Sequence, residues 1–217
     1  MIGSESPRDG RVETLRERKQ RLTREALVQA LLDVIAERGV QEATISLISA
    51  RSGISRGTIY AHFPGGRDEL LRAAYARLGE QLVERTRAAV SAAAGWREAL
   101  AAHADAMFEL AGDALTGHFF NVSGPTFIVD GAERGIGSGA SARMIAATLD
   151  AARASGEVGA DVDPGSTAVL LVGALREAAI RVSAGELDPE RANLAFARLA
   201  AGLAAGRGAA PRPSSGP

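Results

Sequence analysis

Thr44-Ile45-Ser46-Leu47-Ile48-Ser49-Ala50-Arg51-Ser52-Gly53-Ile54-Ser55-Arg56-Gly57-Thr58-Ile59-Tyr60-Ala61-His62-Phe63 is the stretch on which the reading of this chain turns. Apolar Ile48, Ile54 and Ile59 are spaced to hold two short helices together about a turn that contains glycine. Thr44 predicts the start of the first, which carries Leu47 and Ile48 inward and ends at Gly53, the residue without a Cβ that a tight turn favours. Ser55 then caps a helix running to about Phe63. The remaining side chains point outward, and Ser55, Arg56, Gly57 and Thr58 stand at the start of the second helix. That is the end a helix-turn-helix directs at base edges in the major groove. Gly57 permits close approach of the backbone, while the Tyr60 hydroxyl and His62 imidazole lie where they can donate to phosphate. Thr44 and Ser46 complete the expected DNA-facing set on the first helix.

The flanks extend the pattern. Upstream, Leu27, Ala30, Leu31, Val34 and Ile35 recur at helical spacing from Thr23, a plausible cap, to a stop at Gly39. Downstream, Pro64-Gly65-Gly66 is a turn by composition, and Asp68 and Glu69 open a long helix in the turn where its dipole favours acids. Leu71, Ala74, Tyr75, Leu78 and Leu82 give that helix an apolar face.

The run Gly53-Ile54-Ser55-Arg56-Gly57-Thr58-Ile59-Tyr60-Ala61-His62-Phe63, followed by Asp68-Glu69-Leu70-Leu71, resembles the signature of the tetracycline-repressor (TetR) family. The resemblance covers roughly residues 20–80. One departure is the lysine that the family usually places at the start of the fourth helix. Pro64-Gly65-Gly66-Arg67 inserts one residue there, and Arg67 is expected to take over its phosphate contact. The resemblance implies an all-helical homodimer whose three N-terminal helices bind double-stranded DNA at a palindromic operator. It also implies a larger C-terminal domain enclosing a small-molecule pocket, with repression as the usual mode and the fourth helix joining pocket to reading head.

Composition is compatible with this. The apolar residues are Ala, Leu and Val with few aromatics, and Gly and Pro fall between long periodic stretches, so an all-α fold without a sheet is expected. The formal charge of −1 conceals an asymmetry: residues 1–77 hold 13 Lys/Arg against 10 Asp/Glu, the remainder 12 against 16, so the N-terminal third is the basic part. The absence of cysteine excludes disulfides and thiolate metal sites. Met1 to Gln20 is charged where a signal peptide needs an apolar core, and Ala114 to Val129 is too short and polar to span a bilayer, so a cytoplasmic protein without membrane contact is expected. The domain reading is a basic flexible arm over 1–20, the helix-turn-helix domain over 21–66, a helical ligand-binding and dimerisation domain over 67–206 and a disordered tail over 207–217.

Within the third segment, Trp96, Leu100, Met107 and Phe108 form an amphipathic run after Gly95. An irregular stretch follows from Gly112 to Gly139, and helical signal returns over Ala140 to Arg153. Trp96, Leu100, His103, Met107, Phe108, Phe119, Phe120, Phe127 and Met144 are candidates both for ordinary core and for pocket lining. Asp163-Pro164 and Asp188-Pro189 each supply a cap followed by proline at the first helical position. The helices they open, about 164–184 and 189–206, are rich in apolar surface, Phe196, Leu199, Ala200, Leu203 and Ala204 making a stripe on the second. They read either as a core pair or as half of a four-helix dimer interface, and the dimer is favoured.

Other chemistry finds little support. No pair among His62, His103 and His118 has metal-site spacing, and no Ser/His/Asp set or carboxylate pair stands out, so neither metal, cofactor nor enzymatic activity is expected. Gly135-Ile136-Gly137-Ser138-Gly139-Ala140 resembles a phosphate-cradling loop, and Thr126-Phe127-Ile128-Val129 reads as a strand before it. A helix connection is the better reading, because a dinucleotide site needs a repeated βαβ unit. A DNA-binding dimer without ligand control is the alternative, which a fully packed interior would favour, and a helical enzyme is a weaker one.

Overall fold

The computed structural model describes residues 13–127 and 136–205. The all-helical expectation holds: the described residues form helices and their connections, and the one β-type pairing among them is an isolated bridge between Val158 and Ala204. No helix among them is long and apolar enough to cross a membrane. The expected tail over 207–217, the arm over 1–12 and Ile128-Val129 lie outside the described residues.

Helix α1 spans Leu15–Arg38, starting earlier than the apolar periodicity predicts. Thr14, not Thr23, caps it: the Glu17 amide donates to Thr14 Oγ1 at 3.2 Å, and the Thr14 amide donates back to Glu17 Oε2 at 2.9 Å. Arg21 adds ion pairs to Glu13 and Glu25 at 3.0 and 2.9 Å. Residues 15–20 are therefore helix and not flexible arm. Local side-chain bonds hold these exposed turns, a kind of support to which a hydrophobic pattern is blind. Thr23 lies inside the helix and donates to the Lys19 carbonyl at 2.9 Å.

After Gly39 a 3₁₀ turn, Val40–Glu42, leads to α2 (Ile45–Ser52) and α3 (Arg56–His62). Helix α4 runs over Gly66–Ala92 and α5 over Trp96–Gly112. A short α6 (Thr116–His118) passes into a π-turn at Phe119–Ser123 and a 3₁₀ turn at Gly124–Phe127. Helix α7 (Ile136–Ala154) contains the discounted Gly137–Ala140, so those residues form helix and not a phosphate loop. Helices α8 (Pro164–Ser183) and α9 (Pro189–Ala201) begin as the Asp-Pro pairs predict: Asp163 accepts from the Ser166 amide at 2.8 Å and Asp188 from the Arg191 amide at 2.9 Å.

Two apolar clusters organise the chain. The first joins α1–α3 to α4 and continues to Phe119 and Phe120. The second packs α5 against α7, α8 and α9. The irregular segment between α5 and α7 is held where side chains leave no room. A Cβ on Gly117 would lie 2.6 Å from the Leu110 and Ala111 carbonyl oxygens, and one on Gly124 would lie 2.6 Å from the Tyr75 ring.

Candidate functional site

The helix-turn-helix is built from local rules. Thr44 Oγ1 accepts from the Leu47 amide at 3.3 Å and Ser55 Oγ from the Thr58 amide at 3.2 Å, so each helix has its first turn capped. Gly53 adopts φ +69, the left-handed conformation that ends α2 and turns the chain. Fully buried Ile48, Ile59 and Phe63 fasten the pair to α1 and α4. The opposite side presents exposed Thr44, Ser46, Ser55, Arg56, Gly57 and Tyr60, with Thr58 and His62 half-buried beside them. Arg56 makes no hydrogen bond or ion pair among the described residues, so its whole guanidinium is available to a ligand. The hydroxyls of Ser55 and Thr58 lie 2.9 Å apart and bond each other.

Two arginines hold this head together, and only one of them has a sequence-derived role. Arg24 on α1 donates to the His62 carbonyl, lies over the Phe63 ring with its guanidinium carbon 3.9 Å from the centroid, and approaches Glu69 at 3.7 Å. Sequence reasoning missed it, since an arginine at a half-buried helix position carries no pattern of its own. Arg67 is a correction. Instead of reaching outward it donates from Nε to the Ala43 carbonyl at 2.7 Å and from Nη2 to the Val40 carbonyl at 2.5 Å. The 3₁₀ turn engages the Val40 carbonyl through the Ala43 amide alone, at 3.3 Å, and the fork of a guanidinium suits the pair of carbonyls. Arg67→Ala should therefore destabilise the fold by about 1.5–3 kcal/mol, the range for charged hydrogen bonds. Urea unfolding checks this, and a shallower salt dependence of DNA binding at unchanged stability would restore the phosphate role.

A second feature is a cavity of about 90 Å³ between α4, α5, the π-turn, the start of α7 and α8. Of the residues proposed from sequence, His103, Met107 and Phe120 line it. Trp96, Leu100 and Phe108 belong instead to the second core cluster, Phe119 is fully buried in the first, and Phe127 packs against the first. Met144 on α7 is half-buried and outside the lining. Trp96, Leu100 and Phe108 share α5 with His103 and Met107, but their side of the helix meets α7–α9. The lining that sequence reasoning missed includes Tyr75, Leu82 and Thr86 from α4, Asn121 from the π-turn, and Val172, Leu175, Arg176 and Ile180 from α8.

The π-turn shapes one wall. Phe120 stacks on Tyr75 with ring centroids 5.1 Å apart. Asn121 Nδ2 donates to the Gly117 carbonyl and to Ser183 Oγ, both at 3.0 Å, and Ser183 Oγ donates to the Ala111 carbonyl at 3.3 Å. The turn is thereby tied to α5 and α8. Among the described residues no group of three His, Cys, Asp or Glu side chains is placed to hold a metal.

Two capped helices about a left-handed glycine, with a polar outer face and a helical bundle behind, define a helix-turn-helix head carried on an all-helical body. The model of the family described as bacterial regulatory proteins, tetR family, matches residues 27–74. The regulator BetI 1 of Chromohalobacter salexigens is 44% identical over 55 residues, 25% of this chain and 27% of that protein. Such relatives are matched over a quarter to two fifths of their own length. Beyond that segment the fold is shared. A TetR-family regulator from Pectobacterium atrosepticum superposes with TM-score 0.71 at 22% identity, covering 86% of this chain and 96% of that one. FadR from Bacillus subtilis, solved in complex with stearoyl-CoA, gives 0.64 at 20% identity, covering 81% and 96%. Residues 27–74 are thus similar to the DNA-binding segment of the tetR family of bacterial regulatory proteins, and the chain as a whole shares the fold of solved TetR-family regulators.

Proposed function

We propose that this protein is a homodimeric transcriptional repressor that binds a palindromic operator through α2 and α3 and is released by a small molecule entering the cavity. The observation that carries the DNA-binding part is the unpartnered Arg56 beside exposed Gly57 at the start of α3. An arginine so placed commonly reads guanine O6 and N7 together. Thr44, Ser46, Ser55, Thr58, Tyr60 and His62 supply hydroxyl and imidazole contacts around it.

The dimer reading draws on α8 and α9. Each buries one face in the second cluster, yet Val169 and Leu170 on α8 are 65% and 73% exposed, and Leu194 and Leu199 on α9 are 54% and 61% exposed. Apolar surface of this kind on two neighbouring helices fits an isologous four-helix contact with a second copy.

Ligand control draws on the first apolar cluster, which runs without interruption from Ile59 and Phe63 in the head through Leu70 and Leu78 of α4 to Phe120 at the cavity. Leu115, ahead of α6, also sits against the end of α1, 3.6 Å from where a Cβ on Gly39 would be. A ligand that alters the Phe120 wall thus acts on packing shared with the reading head. It would shift the population away from the head spacing of about 34–36 Å that successive major grooves require. The cavity also weighs against a DNA-binding protein without ligand control, which would gain stability from filling that space. Its volume is below the roughly 150 Å³ that holds benzene in an engineered cavity. A molecule as large as the stearoyl-CoA bound by FadR would need it greatly widened, so the reading here is a small ligand.

The test is capture of genomic fragments by the purified protein at moderate salt, followed by sequencing. Recovery of one palindrome whose affinity falls steeply with salt is expected. Recovery of nothing above background, even after unfolding and refolding to strip bound ligand, would overturn the reading. On the recovered operator, Arg56→Ala should cost about 1–3 kcal/mol and relax preference at one or two base pairs. An equal loss on all sequences would assign Arg56 to phosphate instead.

A further inference from the structure

His103 on α5 is 3% exposed, and neither Nδ1 nor Nε2 has a hydrogen-bond partner among the described residues. A neutral imidazole carries one N–H donor and one bare nitrogen acceptor, and leaving such groups unmet in a buried place is costly. Burial pushes this ring down to about 4, so it is uncharged at neutral pH. The cavity wall combines apolar Leu82, Met107, Phe120 and Leu175 with uncharged polar Thr86, Asn121, Ser138 and Ser141. The two charged residues of the lining, Glu80 and Arg176, are both exposed and stand at the solvent side. An ion taken to the inner end would leave its hydration without meeting an opposite charge there.

We propose that the cavity takes a compact uncharged molecule, an apolar body of about one ring bearing a hydroxyl group, and that the hydroxyl bonds a ring nitrogen of His103. This rests on reading the cavity as a ligand site and is independent of how the head reads DNA. A hydroxyl is the matching group because it both donates and accepts, and so meets either nitrogen in either tautomer, whereas a carbonyl meets only the N–H. The volume of about 90 Å³, below the roughly 150 Å³ that holds benzene, limits the body to a single small ring and requires unbranched Met107 to move aside to admit it. His103 is then a specificity-determining residue: it separates hydroxylated molecules from hydrocarbons of the same shape.

Phenol and toluene, alike in outline and differing in the hydroxyl, are suitable probes for the full-length protein by isothermal titration. Phenol is expected to bind once per chain and about tenfold or more tighter than toluene, the preference that one otherwise unmet buried hydrogen bond confers. His103→Leu should bring the two affinities together. In the native protein labelled with ¹⁵N-histidine, phenol should shift a ring nitrogen resonance of His103 and toluene should not, which decides the matter even if the leucine variant fails to fold. Equal affinities, no binding of either probe, or phenol binding with His103 unshifted would each overturn the proposal. Neither measurement involves DNA, so such a failure leaves the operator reading standing, and failure to find an operator leaves this one untouched.

Discussion

Phe63→Ala is expected to remove about 3–5 kcal/mol of folding free energy, the range for deleting a large buried aromatic side chain. The ring is fully buried in the first cluster, with Ile48 and Ile59 of the helix-turn-helix and Leu27, Leu31 and Leu70 of α1 and α4. Its backbone also closes α3, donating to the Ile59 carbonyl at 2.8 Å and accepting from the Gly66 amide at 2.8 Å. Deleting the side chain removes the surface on which the Arg24 guanidinium lies, so the bond from Arg24 to the His62 carbonyl loses its support. The loss should be larger for operator affinity than for Arg56→Ala, because the whole head loosens while every DNA-facing side chain is retained. Urea unfolding together with operator titration checks this. A stability loss below about 1.5 kcal/mol would mean that the head repacks around the gap.

Acid should destabilise the protein by about 3 kcal/mol through His103 alone between neutral pH and pH 4. Burial lowers the folded imidazole from 6.5 to about 4, so the unfolded chain binds the proton more readily throughout that window. The stability contributed by keeping this ring neutral is complete above about 6.5 and is lost as the pH falls toward 4. Urea midpoints measured from pH 7.5 to 4 should fall along this course, and His103→Leu should flatten it. An identical pH dependence in both proteins would show that the ring is hydrated inside the cavity and titrates normally.

The helix-turn-helix was legible because its determinants are local. Thr44 and Ser55 bond amides three residues away, and Gly53 satisfies a backbone angle of its own, so short-range chemistry specifies both helices without reference to the rest of the chain. The Asp-Pro starts of α8 and α9 were legible for the same reason. The start of α1 was equally local, since Thr14 and Glu17 form a capping box, but a search for apolar periodicity passes over a helix end that buries nothing. The cavity was only partly legible. Neighbouring Phe119 and Phe120 both belong to the first cluster, but only Phe120 also reaches the cavity wall. Four further wall residues come from α8, more than fifty positions away.

By itself the sequence determined the helices, the turn between α2 and α3 and the outward face of α3, because each depends on side chains and backbone groups within a few residues of one another. Tertiary structure alone decided that Arg67 folds inward onto the Val40 and Ala43 carbonyls, that Arg24 clasps the end of α3, and that His103 is buried without a partner beside a cavity. Each of those outcomes depends on groups between 24 and 38 residues away or on space left among several helices, and only packing brings such groups together.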